Sequence, residues 1–308
     1  MAEDWPPLPL DAWKDTYETL RRWVQIVGKV RLALSPWINH SWHATLYVTS
    51  RGLTTGPIAS KPTAFQIDFD FLDHRLVIAT SAGSIRSIAL HPQSVAAFYR
   101  EVMDAVHDLG ITVKIYAQPN ELEDATPFEQ DERHAAYDAA AAQRFWRALV
   151  QVDRVFTAFR ARFQGKCSPV HLFWGGLDLA VTRFSGRPAP PHPGGVPHLP
   201  DRVVRDAYSH EVSSAGFWPG GQGVPHAAFY SYAYPEPDGY KQTKVRPAEA
   251  YYHPDLREFI LPYDAVRTAT DPDAVLLEFL QSTYEAAADR GHWDRAALER
   301  ATDLLAES

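Results

Sequence analysis

The stretch AAAAQRFWRALVQVDRVFTAFRARFQG, residues 139–165, decides how the rest of the chain is organised. Large apolar residues recur in it at steps of four and three, the spacing of one face of an α-helix; they are Phe145, Leu149, Val152, Phe156, Phe159 and Phe163. Asp138 is suited to cap the first turn and Gly165 to end the last. The pattern predicts a central core helix over about 139–164, with residues 36–137 and 166–290 as two halves on either side.

The half before this helix is rich in alternating segments. FQIDFDF (65–71) places four apolar side chains on one face, and LVIAT (76–80) and SIRSIAL (84–90) predict a hairpin. A helix with a buried stripe from Val95 to Leu109 follows, and Gly110 ends it. ITVKIYA (111–117) alternates again and predicts one more strand.

The half after the helix repeats this order. SPVHLFWGGLDLAVTRF (168–184) predicts two strands around a double glycine, and residues 226–234 and 257–263 predict two more. A helix with Pro272 in its first turn follows. Both halves end strand, proline, helix, which is compatible with a degenerate internal repeat. We therefore expect an α+β fold of mixed or antiparallel strands in two closely packed halves, each backed by helices, with residues 1–308 forming one compact unit.

The N-terminal segment and the composition narrow the class of protein. A helix is predicted from Asp11, with Gly28 near its end. The net charge of -8 provides no basic stripe, so nucleic acid is not expected as a partner. No apolar run is long enough for a bilayer, and the first residues lack the pattern of a secretory signal. With Cys167 as the single cysteine, we expect a cytoplasmic protein without a disulfide or a membrane anchor.

Familiar catalytic fingerprints are absent, so the candidate residues come from polar groups in unusual places. His40 and His43 are three residues apart and suit a divalent transition metal, provided that Ser41 and Trp42 turn the chain. In a regular strand the two imidazoles point to opposite faces. The alternative is one histidine in a pocket and one at a strand end.

Two further segments carry candidate acid–base groups. His171 lies between aromatic residues of a predicted strand, either as a satisfied core group or as a base. His210 and Glu211 precede the aromatic, glycine-rich turn FWPGG (217–221), and a carboxylate beside an imidazole can supply a base and an acid. Cys167 next to Lys166 is either a nucleophile or an inert buried thiol.

Substrate-binding groups are expected on the strand after the double glycine and among nearby aromatic residues. Asp178 and Arg183 lie on that strand, and arginine at a strand end can anchor a carboxylate or a phosphate. A buried Asp–Arg structural pair is the alternative. Trp42, Trp174 and Trp218 are the expected aromatic walls. The proline-rich segment 187–200 is expected as a surface excursion or lid.

Long segments of this chain resemble a large bacterial family known only as a domain of unknown function. They include NHSWHATLYVTSRGLTTGPI (39–58), GKCSPVHLFWGGLDLAVTRFSGRPAPPHPGG (165–195) and AYSHEVSSAGFWPGG (207–221). These segments keep one order over nearly the whole chain. The resemblance implies membership of one family. It implies no activity, and it identifies no catalytic residues.

The residues themselves predict a small-molecule enzyme. Its pocket is expected to be aromatic, with His and Glu as acid–base groups or metal ligands and with metal-dependent hydrolysis or lyase chemistry as the most concrete version. The alternatives are a non-catalytic small-molecule-binding protein and a protein-interaction module, since Trp and Tyr are also enriched at interfaces.

Overall fold

The computed structural model describes residues 4–61, 63–221 and 223–300 of this chain. The α-helices in these ranges are α1 (Lys14–Leu34), α2 (Val95–Asp108), α3 (Ala139–Ala161), α4 (Asp201–Ala207), α5 (Tyr263–Arg267), α6 (Pro272–Arg290) and α7 (Arg295–Leu298). The strands are β1 (Tyr47–Val48), β2 (Gly52–Thr54), β3 (Ile58–Ser60), β4 (Thr63–Asp70), β5 (Arg75–Thr80), β6 (Ile85–Ala89), β7 (His171–Phe173), β8 (Asp178–Pro188), β9 (His210–Trp218), β10 (Ala228–Tyr234), β11 (Tyr251–His253) and β12 (Glu258–Pro262). No helix within the described ranges combines the length and the apolar character needed to cross a membrane.

The strands form two antiparallel sheets of six strands each. The first has the order β1-β2-β4-β5-β6, with β3 also paired to β4, and the second has the order β11-β12-β10-β9-β8-β7. The predicted hairpin is present, with Ile78 opposite Arg86 in β5 and β6. The α+β class and the division into two helix-backed sheets are confirmed.

The two sheets meet edge to edge at one pair of residues. Leu46, just before β1, and Leu172 of β7 form an antiparallel bridge. The Leu46 N–H donates to the Leu172 carbonyl at 2.9 Å, and the Leu172 N–H donates back at 2.8 Å. This junction brings the segment before β1 beside the first strand of the second sheet.

The predicted central helix is confirmed as α3, with Asp138 at its N-cap accepting a hydrogen bond from the Ala141 N–H. Its apolar stripe is buried, and α3 contacts both β1 and β8. Helix α3 packs on β8 and α6 packs on β9 and β10, so these two helices together cover one face of the second sheet. The opposite face of that sheet is left to line a cavity, and the alternation of side chains along each strand determines which residues face it.

Helix α1 differs from the prediction at both ends, since it begins at Lys14 and continues past Gly28 to Leu34. Gly28 does not end the helix. A Cβ at this position would lie within 3 Å of three atoms of the Trp174 indole, so glycine is required for Trp174 to pack against the helix. Gly28 therefore marks a close contact between the helix and Trp174, and it does not mark the end of the helix.

The predicted strand ITVKIYA (111–117) was wrong, because this segment has no ladder partner. Ile111 and Ile115 are buried while Thr112 and Lys114 are exposed, so the alternation correctly predicted which side faces the core. The Ile111 N–H instead donates to Val106 at the end of α2. Alternation reports the faces of an extended segment and not its pairing.

Candidate functional site

A cavity of about 960 Å³ lies on the free face of the second sheet. Its floor is made by alternate residues of three neighbouring strands: Asp178, Ala180, Thr182, Phe184, Val212, Ser214, Tyr230 and Tyr232. Helix α1, the turn before β1, residues 116–121 and the segment 189–208, here named the lid, form the walls. The volume is within the range of pockets that hold small organic ligands.

One side of α1 carries a polar stripe that positions the wall of this cavity. Arg21, Gln25 and Lys29 follow at four-residue steps, so they lie on one face of the helix, and all three are buried. The Gln25 side chain donates to the Asn120 carbonyl and accepts from the Asn120 N–H, both at 2.9 Å. Arg21 Nε donates to the Gly175 carbonyl at 3.2 Å. The stripe therefore holds residues 120–121 and the double glycine against each other.

Two carboxylates meet above this double glycine. The Glu121 carboxylate lies over Gly175, where a Cβ would collide with it. A Cβ on Gly176 would lie 2.7 Å from Asp178 Oδ1 and 3.9 Å from Glu121 Oε2. Both acids therefore approach one point at the cavity wall, and they can do so because residues 175 and 176 have no side chains.

The surroundings of these carboxylates favour their protonated forms. Burial, and secondarily the charge of Asp178, raises the pKa of Glu121 to about 7, against the opposing effect of Arg21 and Lys29. Burial raises the pKa of Asp178 to about 6, although the hydrogen bond from Tyr230 favours its ionised form. The Tyr230 hydroxyl donates to Asp178 Oδ2 at 2.5 Å. Both acids of the pair therefore have pKa values raised from the ordinary carboxylic range toward neutral pH.

Hydroxyl groups of the floor and of the adjoining lid form two further pairs. The Tyr208 and Tyr232 hydroxyls are 2.8 Å apart, and so are the hydroxyls of Thr182 and Ser214. The Tyr230 ring lies over Gly216 of β9, close enough that any side chain there would collide with it. The floor therefore offers several hydrogen-bonding groups between apolar patches.

The lid is tied down at two places. The Asn120 side-chain amide donates to the His198 carbonyl, and the Glu121 N–H donates to the Pro197 carbonyl at 3.1 Å. At the other end, the His40 N–H donates to Asp206 Oδ2 of α4 at 2.9 Å. The proline-rich segment is thus part of a cover over the cavity, as its composition predicted.

The two histidines predicted as metal ligands lie in the turn before β1. His40 Nδ1 is 3.0 Å from the Ala207 carbonyl and its Nε2 is 2.6 Å from Lys166 Nζ, so both ring nitrogens have protein partners. His43 Nδ1 is hydrogen-bonded to the backbone of Ile38. The described residues contain no group of three or more His, Cys, Asp or Glu side chains arranged to hold a metal ion.

The three predicted catalytic residues do not meet at one point. The His210 ring lies 6.0 Å from that of His40. Glu211 points to the other face of β9, where it pairs with Arg187 at 2.6 Å. His171 is 1% exposed behind Trp42, and burial lowers its pKa to about 3, which keeps it neutral.

The predicted binding residues separate into two groups. Trp42, Trp174 and Asp178 line the cavity. Arg183 lies on the opposite face of the sheet, with its guanidinium carbon 3.4 Å from the centre of the Phe159 ring. Trp218 packs beside Val224 and Ile260. Burial raises the pKa of the nearby Cys167 thiol to about 11, so this thiol stays protonated.

Sequence reasoning missed Glu121 and Lys29, which border the cavity. The signal for Lys29 was the spacing of Arg21, Gln25 and Lys29 at four-residue steps on one face of the helix. Glu121 has a left-handed backbone with φ of 59° inside an irregular loop, and no periodic pattern identifies such a residue.

The chain matches one known protein family. A family model matches residues 5–300, nearly the whole chain. The chain belongs to DUF5996, a family of unknown function. This confirms the resemblance found from the sequence. No curated protein and no solved structure matches the chain.

Proposed function

We propose that this chain is an enzyme that binds a small organic molecule in the cavity and performs acid–base chemistry on it with Glu121 and Asp178. The observation that carries the proposal is the approach of these two carboxylates to one point above Gly176, in a cavity lined by aromatic side chains. Acidic groups whose pKa values are strongly raised and that cluster in a pocket are a common mark of acid–base sites.

The two carboxylates suit different roles. Asp178, with a pKa of about 6, is mostly ionised at neutral pH and is held by Tyr230, so it suits a general base. Glu121, with a pKa of about 7, is partly protonated at the same pH and suits a general acid. An acid and a base on one wall serve a hydrolase or a lyase, in which one group loses a proton while a leaving group gains one.

The cavity also favours a ligand with two unlike ends. The polar end contains Glu121, Asp178, Lys29 and Tyr230. Other parts of the lining are apolar; they include Leu32, Phe184, Val196, Leu199, Val203, Val204 and Val212. Burial of an apolar body against such residues supplies affinity, while the polar end determines orientation.

The experiment begins with a thermal-shift and tryptophan-fluorescence screen of small organic molecules, followed by turnover assays on those that bind. Glu121→Gln and Asp178→Asn should each lower turnover by about 100-fold or more. Glu123→Gln is the matched control, since Glu123 is exposed two residues away. Wild-type turnover in both cavity variants, or a ligand that binds without being converted at any pH, would contradict the proposal.

A further inference from the structure

Lys29 lies in the cavity wall in surroundings that are unusual for a lysine. It is 4% exposed, and lysine is rarely buried to this extent. Its Nζ donates to the Asn120 side-chain oxygen and lies 5.4 Å from the Trp174 ring and 5.5 Å from the Tyr116 ring. Tyr116 is 69% exposed and also lines the cavity, so the amine lies between an interior ring and a ring at the surface.

The groups around this amine also suit covalent chemistry. Burial lowers the pKa of Lys29 to about 8, with Glu121 opposing the shift, so about a tenth of the amine is neutral at pH 7, far more than for an ordinary lysine. Asn120, which holds Nζ, precedes Glu121 directly in the chain. A lysine desolvated in an apolar site beside an acid–base group is the usual arrangement for an amine that attacks a carbonyl carbon.

We propose that Lys29 is a nucleophile that forms an imine with an aldehyde or ketone substrate in this cavity. The inference rests on the proposed acid–base function and adds the substrate class, a carbonyl compound. Asn120, itself held by Gln25, is a positioning residue because it orients Nζ.

The steps balance without a further reactant. The Nζ lone pair forms a bond to the carbonyl carbon, and the carbonyl oxygen takes a proton from Glu121 to give a carbinolamine. The Glu121 carboxylate takes a proton from the carbinolamine nitrogen and donates it to the hydroxyl group, and the C–O bond breaks as the oxygen leaves as water. In total, a protonated amine and a carbonyl compound give an iminium ion and water. Asp178 can then take a proton from the adjacent carbon, which is the acid–base step of a lyase.

The chain provides its own controls for a chemical test, because it has seven lysines. Lys166 is also surrounded by aromatic rings, at 4.9 Å from Phe184, but its Nζ contacts His40. Lys14 and Lys241 are exposed. The protein is incubated with acetaldehyde, pyruvate or benzaldehyde and sodium cyanoborohydride, which converts an imine into a stable secondary amine, and the sites are located by peptide mass spectrometry.

Lys29 should be labelled by at least one of these probes about tenfold faster than the exposed lysines. Trypsin should then fail to cut after residue 29 and release residues 23–31 as one modified peptide. Lys29→Met keeps the apolar stem and removes the amine, so it should fold and lose this label. Labelling of Lys29 no faster than that of Lys14 with every probe would overturn the proposal.

The imine and the acid–base function fail in different ways. Turnover that depends on Glu121 but survives in Lys29→Met would overturn the imine and leave the acid–base function standing. Rapid labelling of Lys29 with unchanged turnover in Glu121→Gln and Asp178→Asn would overturn the acid–base function.

Discussion

Replacement of Gly28 by alanine changes a single hydrogen into a methyl group at the contact between α1 and Trp174. Alanine is the better helix former by about 1 kcal/mol, so propensity alone predicts a more stable protein. The methyl carbon, however, would lie within 3 Å of three atoms of the Trp174 indole. Trp174 is 8% exposed, and its Nε1 donates to the Ala44 carbonyl at 2.8 Å, so displacement of the ring would break this hydrogen bond.

The expected cost follows from these contacts. Insertion of a methyl group into a packed core usually costs about 1–3 kcal/mol. Displacement of the indole also loses the hydrogen bond to Ala44, which costs about 1 kcal/mol more. After the gain in helix propensity, Gly28→Ala should lower the free energy of unfolding by about 2 kcal/mol.

Urea denaturation followed by far-UV circular dichroism measures this difference. Ala33→Gly, at an exposed position of the same helix, reports the propensity effect alone. Trp174→Leu in the Gly28→Ala background should restore part of the loss, because the smaller side chain leaves room for the methyl group. A Gly28→Ala protein as stable as the wild type would refute the account of how Trp174 is seated.

Three further predictions concern the carboxylate, the buried arginine and the lid. Since burial raises the pKa of Glu121 from 4.5 to about 7, this group favours folding most below about pH 4.5, and its contribution is lost as the pH rises through about 7. Glu121→Gln should therefore reduce the fall in unfolding free energy over this range by about 2 kcal/mol, measured by urea denaturation at a series of pH values; an unchanged pH profile would contradict this. Arg183 stacks on Phe159 and is 1% exposed, so Arg183→Lys should destabilise by about 2 kcal/mol, and Arg183→Met by less because it removes the buried charge; the reverse order in urea denaturation would contradict this role of the buried charge. Asp206→Ala removes the acceptor of the His40 N–H and should raise amide exchange in α4 roughly fivefold, whereas unchanged exchange would mean that this bond does not hold the lid.

The sequence predicted elements whose periodicity matches one buried face. The stripe from Phe145 to Phe159 is buried throughout, and β8 alternates between helix-facing Val181 and cavity-facing Thr182. Periodicity was sufficient because the same side of each element is buried along its whole length. Periodicity failed for residues 111–117, because one side of this segment is buried but no strand pairs with it.

The candidate site was only partly predictable for a different reason. Trp42, Trp174 and Asp178 were expected at a pocket because large aromatic and charged residues cluster in unusual motifs, and they do line the cavity. Lys29 and Glu121 approach each other because α1 and an irregular loop pack together across nearly a hundred residues, and a one-dimensional pattern does not report such packing. Charged residues on a helix usually face solvent, so the sequence alone does not predict that this polar stripe of α1 is buried.

Helix α1 is buried on nearly all sides by residues that are synthesised much later than the helix itself. All residues from Thr16 to Val30 except Glu18 are buried, yet the groups that Gln25 binds at Asn120 and Gly175 are made 95 and 150 residues later. At ordinary rates of translation the second of these follows after roughly 10–30 s. Helix α1 is therefore made well before the residues that complete its surroundings, and the cavity can form only after the strand that carries Tyr230 and Tyr232 has been made.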